Sequence, residues 1–577
     1  MRIFFCCMII LLNLPILTAR GDERPNVVLV MTDDQGYGDI AAHGNRMIQT
    51  PAMDQLYSEG VRLTNFHADP TCAPTRAALM TGRFSTRTGV WHTIAGRSLM
   101  DPRELTLAQI FAANGYRTGL FGKWHLGDNA PLRPQDRGFQ FLLSHHGGGL
   151  TQTPDFWKND YFDDSYFRED GKFEQQQGYC TDVWFREGTR FIEQAHQDDV
   201  PFFCYITPNA PHSPYRVAEE YSQPYREAGV PEQMANFYGM ITCIDQNLGH
   251  LRERLRTLGI ERDTLLIFMT DNGTAAGVLE KPGKEATWTG FNAGMRGQKV
   301  SEYEGGHRVP CFLSWPAAGW KPGREISQLT AHIDLLPTLV ELCGLKKPEG
   351  PPIDGLSLAP LLRREEVELP DRKIFIHTQR IEHPVKWKQC AVMTQHWRLV
   401  NGVELYDALR DPGQEHDLSS DHPGIVAELR DAYEKWWASL EPVYKQVVRI
   451  DLGNPAENPA SLCCHDWHSD DKPIPVFHVQ VERAPLQNGY WAVNIVESGN
   501  YEFRLRIRPA GTDHPLPQGV AKISIGKEAA SASIPENASE VVLTAALKAG
   551  PANLQTWLDS PDGTSRGAYY VTVRKLP

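Results

Sequence analysis

Apolar residues run without interruption in Val27-Val28-Leu29-Val30-Met31, in Phe202-Phe203-Cys204-Tyr205-Ile206 and in Leu265-Leu266-Ile267-Phe268-Met269. A strand apolar on both faces must be covered on both, so these runs predict central strands of a parallel sheet, with Thr118 to Phe121 as another. Helix-period segments lie between them: Gln109 to Asn114, stopped by Gly115, then Thr181 to Gln194 and Met240 to Leu255. Together these predict an α/β unit built on a large, mixed, mostly parallel sheet flanked by helices. From Lys373 the elements shorten to Ile374-Phe375-Ile376, Ala391 to Met393, Trp397 to Val400 and Glu404 to Asp407, closed by a helix from Pro423 to Leu440. This predicts a small antiparallel α+β subdomain. Beyond it Tyr501 to Arg508 alternates strictly, as a strand with one wet face does, and Val541 to Leu547 and Tyr569 to Val573 follow between turns. Short strands at such spacing predict an all-β sandwich.

The chain has 577 residues, 41% of them hydrophobic and 22% charged, with a formal net charge of −13. That charge excludes a nonspecific nucleic-acid binder, whose affinity rests on a basic face, and requires any anionic substrate to be drawn by local charge. Met1-Arg2, the apolar run Ile3 to Leu17 and Thr18-Ala19 read as an export signal cut after Ala19. The run is too short for a spanning helix, so no stable membrane insertion is expected and the protein is placed in the periplasm or outside the cell. The division read from these signals is 1–19 leader, 20–365 α/β domain, 366–442 small subdomain and 443–577 β-sandwich module. The module is read as bracing the α/β domain, with glycan binding as the alternative. Among the cysteines, Cys204, Cys243, Cys311 and Cys343 sit in apolar or helical runs and are read as core. Cys463-Cys464 is the best candidate for disulfide bonding.

Ligands gather beyond the carboxyl ends of parallel strands, where this chain places Asp33-Asp34 after the first run and Asp271-Asn272 after the third. Three carboxylates and one amide, without His or Cys, suit a hard cation such as Ca²⁺, or less well Mg²⁺, better than Zn²⁺. Upstream of the second run, Thr71-Cys72-Ala73-Pro74-Thr75-Arg76 introduces the good helix formers Ala77 to Met80. This places Cys72 just before a helix N-terminus, where an anion is favoured, with Arg76 reaching back along the same face toward the sulfur.

The pattern Cys72-x-Pro74-x-Arg76 followed by Thr81-Gly82-Arg83 resembles the signature of the formylglycine-dependent sulfatases, within the alkaline phosphatase superfamily. The resemblance extends from Asn26 to Leu440 and implies an alkaline phosphatase-like fold and the hydrolysis of sulfate monoesters. It also implies that a maturation enzyme oxidises Cys72 to formylglycine and that Arg76 holds the product's hydroxyls. A divalent cation, usually Ca²⁺, would be held by Asp33, Asp34, Cys72 as modified, Asp271 and Asn272. Gly122-Lys123-Trp124-His125-Leu126-Gly127 is similar to the family stretch in which the lysine and histidine grip the aldehyde hydrate and the sulfate. Side-chain alternation is expected to put Lys123 and His125 on one face. By the same resemblance Lys299 contacts sulfate and His212 protonates the leaving alcohol. Substrate selection is sought in the polar, aromatic stretch Ser144 to Phe167, including His145 and His146, and in Arg380 and Trp387, which lie in a loop expected to overhang the pocket. Export, aromatic loops and a β-module favour a sulfated carbohydrate as substrate. The alternatives are a phosphonate monoester or phosphodiester hydrolase of the same superfamily, and an inactive protein that binds sulfated glycans.

Overall fold

In the computed structural model, residues 24–276, 290–363, 367–469 and 473–577 are described, so the expected leader at 1–19 lies outside the described residues. Ten strands form the large sheet, in the spatial order Glu325–Ile326, Val61–Leu63, Cys311–Ser314, Thr264–Thr270, Asn26–Thr32, Phe202–Thr207, Arg117–Lys123, Phe141–His145, Ser165–Arg168 and Phe173–Gln175. The five consecutive strands from Thr264–Thr270 to Phe141–His145 are mutually parallel, and antiparallel strands flank them on both sides. Val28 pairs with both Cys204 and Leu266, which fixes the register at the centre.

Alternation along these strands splits the interior into two layers. Val27, Leu29, Met31, Phe203, Tyr205, Leu265, Ile267 and Met269 face one cluster, shared with Leu79 and Met80 of the helix Cys72–Thr81. Val28, Val30, Cys204, Ile206, Leu266 and Phe268 face the other, shared with the helices Cys180–Gln197 and Glu232–Thr257. Burial on both faces is the reason these strands read as unbroken apolar runs. Glu232–Thr257 begins eight residues before the expected Met240. Met234, Phe237, Tyr238 and Ile241 recur at helical spacing and are all buried, so packing extends the helix through a polar start.

The four strands Ile374–His377, Cys390–Met393, Trp397–Val400 and Glu404–Asp407 form the antiparallel sheet expected there. Its backing helix runs Pro423–Tyr444, one turn longer than expected. C-terminal to it lie a six-stranded and a four-stranded sheet around one core that includes Trp491, Tyr501, Phe503, Leu554 and Val573. This part is sandwich-like but not wholly antiparallel: Ile450–Leu452 pairs parallel with Tyr490–Ile495, and a short helix, His478–Glu482, interrupts the strands. Ala95, Leu99 and Leu132 belong to the same core cluster. Backbone bonds cross the junction from Ala95 N–H to His465 O (2.9 Å), from Thr153 N–H to Val476 O (2.7 Å) and from His478 N–H to Thr151 O (2.9 Å).

The expected bonding of Cys463-Cys464 is not present. All nine described cysteines are buried free thiols, and the Cys464 thiol lies 3.6 Å from Pro475 O. A large, continuous apolar core makes covalent staples unnecessary here.

Candidate active site

The central strands end together, and their ends carry the polar residues singled out above. Asp33 and Asp34 follow Thr32, Asp271 and Asn272 follow Thr270, Lys123 closes its strand, and Thr207 closes the strand between. Gly273 is required where these ends meet the turn Glu304–His307. A Cβ there would lie 1.9 Å from Gly305 O, and the Gly273 N–H donates to Gly306 O at 2.9 Å. This close approach fixes Asn272 in place.

Cys72 is the first residue of its helix, with Thr71 as the extended cap residue; the sequence expected the helix to start two residues later, at Pro74. All ten residues of this helix are buried. Burial raises the Cys72 thiol above its ordinary range, outweighing the pull of Lys123 and Lys299. Cys72 is therefore a neutral thiol and a poor nucleophile as it stands. Its sulfur and oxygens of Asp33 and Asp271 lie within 4.8 Å of one another.

Arg76, 1% exposed, lies within electrostatic reach of Cys72, but its hydrogen bonds go elsewhere. Its guanidinium donates to Lys123 O (3.0 Å), Thr207 Oγ1 (2.6 Å) and Asp271 Oδ2 (3.0 Å), tying three strand ends together. Burial would lower its pKa, but Tyr205 and Asp271 hold the group charged. Thr207 was not singled out from the sequence, although it follows a buried apolar run at the same sheet edge as Asp33 and Asp271.

Lys123 Nζ donates to Asp33 Oδ2, and Lys299 Nζ lies 2.6 Å from Asp34 Oδ1 and 2.8 Å from Oδ2. Burial opposes ionisation of Asp34, yet Lys299, His212 and Asn272 carry its carboxyl well below the ordinary range. Asp271 is pushed up to about 7 by burial and by Asp33, against Arg76.

His125 lies beyond the strand, with φ +62°, so strand alternation is not what brings it near Lys123. The left-handed turn does, and the ring is held by Thr93 O, 2.8 Å from Nε2. His212 contacts Ser213 O through Nδ1 (2.6 Å) and points Nε2 toward Asp34 Oδ2 at 3.8 Å. Burial and Lys299 depress it to about 3, so it is neutral in the free protein.

The remaining candidates divide. His145 is buried, depressed to about 3 by burial with Lys123 and Arg76 adding to the effect, and its Nδ1 contacts His146 O at 2.9 Å. His146 packs its ring on Phe167 and Phe173. Arg380 donates to Thr93 Oγ1 at 3.1 Å, sharing with His125 the residue that holds it. Trp387 lies against the helix Pro423–Tyr444, stacked 3.9 Å from Tyr433 and bonded to Glu434 Oε1 (2.9 Å). Of the aromatic stretch, Tyr161, Tyr166 and Phe167 are core residues, while Phe156 and Phe162 are exposed. His465 also went unrecognised in the sequence: its ring lies 6.2 Å from His125, delivered by the C-terminal sheets across more than 300 residues of chain.

The donor set passes a specific test for a cation. Asp33 Oδ1 and Asn272 Oδ1 are buried without a hydrogen-bond partner, whereas the other oxygens of Asp33, Asp34 and Asp271 are engaged. Unpartnered buried oxygens are costly, and two of them among carboxylates beside one sulfur fit a hard divalent ion. A second buried group, His67, Glu304 and His307, offers ligand atoms equally close together, but Arg398 and Arg308 already neutralise Glu304.

Comparison with known proteins agrees with this geometry. The sulfatase family model matches residues 25–345, and that of the C-terminal region of N-sulphoglucosamine sulphohydrolase matches residues 298–436. Mouse N-acetylgalactosamine-6-sulfatase is 30% identical over 392 residues, covering 64% of this chain and 72% of that protein. Human arylsulfatase G is 31% identical over 375 residues, covering 59% and 69%. Among solved structures, Ps i-CgsB in complex with k-i-k-neocarrahexaose superposes with a TM-score of 0.64 at 28% identity, over 72% of this chain and 93% of that one. With the Cys72 helix, the paired acidic strand ends and these likenesses together, the chain belongs to the sulfatase family and is a sulfuric ester hydrolase.

Proposed function

We propose that this enzyme is exported and removes sulfate from a sulfated saccharide, using formylglycine made from Cys72 by a maturation enzyme and Ca²⁺ held by Asp33, Asp34, Asp271 and Asn272. The observation that carries the reading is Asp33 Oδ1, unpartnered in the group that joins Asp33 and Asp271 to the Cys72 sulfur, with Asn272 Oδ1 likewise unpartnered on the side chain that donates to Asp34. A saccharide substrate is favoured by the relatives named for N-acetylgalactosamine sulfate and neocarrahexaose. Among the described residues no helix is long and apolar enough to cross a membrane.

When bound, the metal supplies Lewis-acid charge beside the reacting sulfur, and the hydrated aldehyde supplies a hydroxyl nucleophile that a neutral buried thiol cannot. The chain's own groups do the rest. Arg76, Lys123 and Lys299 are cations fixed on Asp271, Asp33 and Asp34, and their charge offsets that accumulating on the sulfuryl oxygens. They are held before substrate arrives, so no reorganisation is needed during reaction. His212 has its Nδ1 occupied by Ser213 O, which leaves Nε2 to face the leaving oxygen. Burial first and Lys299 second keep His212 neutral in the free protein, so it takes up its proton when the negative sulfate enters and gives it to the departing alcohol.

The test is sulfate release from N-acetylgalactosamine 6-sulfate, neocarrahexaose and 4-methylumbelliferyl sulfate by matured protein, before and after chelation. Release abolished by chelator and restored by Ca²⁺ supports the reading. Undiminished release from exhaustively metal-free protein contradicts it.

A further inference from the structure

At the junction between the α/β unit and the C-terminal sheets lies a cleft of about 530 Å³. His146, Phe156 and Phe173 wall one side, and Asp466, Arg506 and Tyr570 the other. The volume is that of a small-ligand pocket. Phe156 and Phe173 are 41% and 40% exposed, with ring centroids 5.0 Å apart, and His146 lies 5.4 Å from Phe173. Exposed aromatic rings grouped in a concave site offer flat apolar faces, the surface that the C–H faces of a sugar ring cover.

Charge narrows the ligand. The guanidinium groups at the cleft are already paired, Arg506 with Glu540 and Thr572 Oγ1, and Arg133 with Asp136. Asp128 and Asp466 lie at the cleft as well, Asp128 accepting from Gly147 N–H at 2.8 Å. Aromatic faces with carboxylate acceptors suit hydroxyl donors and disfavour a second sulfate.

Two pairs of consecutive residues join this cleft to the sulfate site. His146 lines the cleft while His145 lies within electrostatic reach of Lys123 and Arg76. Asp466 lines the cleft while His465, its neighbour, lies beside His125. His145 Nε2, His125 Nδ1 and His465 Nε2 are each buried with no hydrogen-bond partner.

We propose that the cleft is a saccharide subsite: it takes an unsulfated sugar ring attached to the sulfated one, which makes the C-terminal sheets part of the substrate-binding surface. This rests on the saccharide reading above. Phe156 and Phe173 make their ring contacts with each other, His146 and Phe167, so the double variant Phe156→Ala/Phe173→Ala is aimed at the cleft. Matured, metal-loaded wild type and variant are compared on an array of carrageenan-, chondroitin- and heparan-type oligosaccharides, on the corresponding monosaccharide sulfates, and on 4-methylumbelliferyl sulfate. The expected result is that wild type retains at least one oligosaccharide ten-fold or more over its monosaccharide. The variant should lose that preference while cleaving 4-methylumbelliferyl sulfate within two-fold of wild type. An unchanged melting temperature in the variant excludes unfolding as the cause. Absence of any oligosaccharide preference in wild type, or its persistence in the variant, overturns the subsite. Failure of wild type on every sulfate ester would instead overturn the saccharide-sulfatase reading itself.

Discussion

The sulfate site and the junction cleft are neighbours built on opposite principles. At the strand ends, Arg76, Lys123 and the three aspartates are buried, Lys299 is half-buried, and all are locked by one another, while Asp33 Oδ1 and Asn272 Oδ1 are left without a partner. At the junction, rings stand exposed and cations are paired away from the cavity. The first arrangement spends rigidity on one small, highly charged group. The second leaves weak, broad contacts that a changed loop can re-aim, which is how one reaction is carried to different substrates.

Removing the reacting side chain separates the regions most sharply. Cys72→Ala is expected to abolish turnover of every sulfate ester by at least about 10⁴-fold. It deletes one sulfur from a first-turn position in favour of a good helix former, so the melting temperature should stay within a few degrees. Steady-state kinetics and a thermal melt check both halves.

Arg76→Ala should damage stability as well as rate. It leaves Asp271, fully buried, without its counter-charge, a loss of roughly 3–5 kcal/mol. Chemical denaturation of the metal-free protein measures it. A shift below about 1 kcal/mol would mean that Arg76 is not the tie between strand ends described above.

His212→Ala should divide the substrates. A sugar alcohol needs protonation to leave, so kcat is expected to fall about 10²–10⁴-fold on a saccharide sulfate. On 4-methylumbelliferyl sulfate, whose phenolate leaves unaided, the fall should be at least ten-fold smaller. An equal loss on both would remove His212 as the proton donor.

The smallest effect belongs to the junction. Glu457 accepts from Ala130 N–H (2.7 Å) and Asn129 Nδ2 (3.1 Å), and burial pushes its pKa up to about 7 against Arg133 nearby. A carboxyl whose folded pKa is raised binds its proton more tightly in the folded state, so stability falls as pH rises from about 4.5 through about 7. Glu457→Gln should flatten that decline, worth roughly 1–3 kcal/mol, while leaving turnover of 4-methylumbelliferyl sulfate alone. Melting curves from pH 4.5 to pH 8 follow it.

What the sequence disclosed follows the same division. Asn26–Thr32 and Thr264–Thr270 were legible because burial on both faces leaves an unbroken apolar run, and the acids that follow had to fall at one sheet edge. The helix carrying Cys72 was legible to within two residues of its start. His125 was placed correctly for the wrong reason, since a left-handed residue cannot be told from a strand continuation by its neighbours. The approach of His465 to His125 was not legible at all. No local periodicity links Thr93 to Gly96 with His465 to His468, and their meeting depends on how the C-terminal sheets dock. Likewise Phe156 and Tyr161 look alike in sequence, and only the fold leaves one exposed and buries the other.

The most direct measurement is the mass spectrum of the peptide containing Cys72, taken from preparations of graded specific activity. Activity should rise in proportion to the fraction of that peptide at the mass of an aldehyde in place of the thiol, extrapolating to zero turnover when all of it is cysteine. Full activity with only unmodified Cys72 would contradict the role assigned to every side chain gathered at these strand ends.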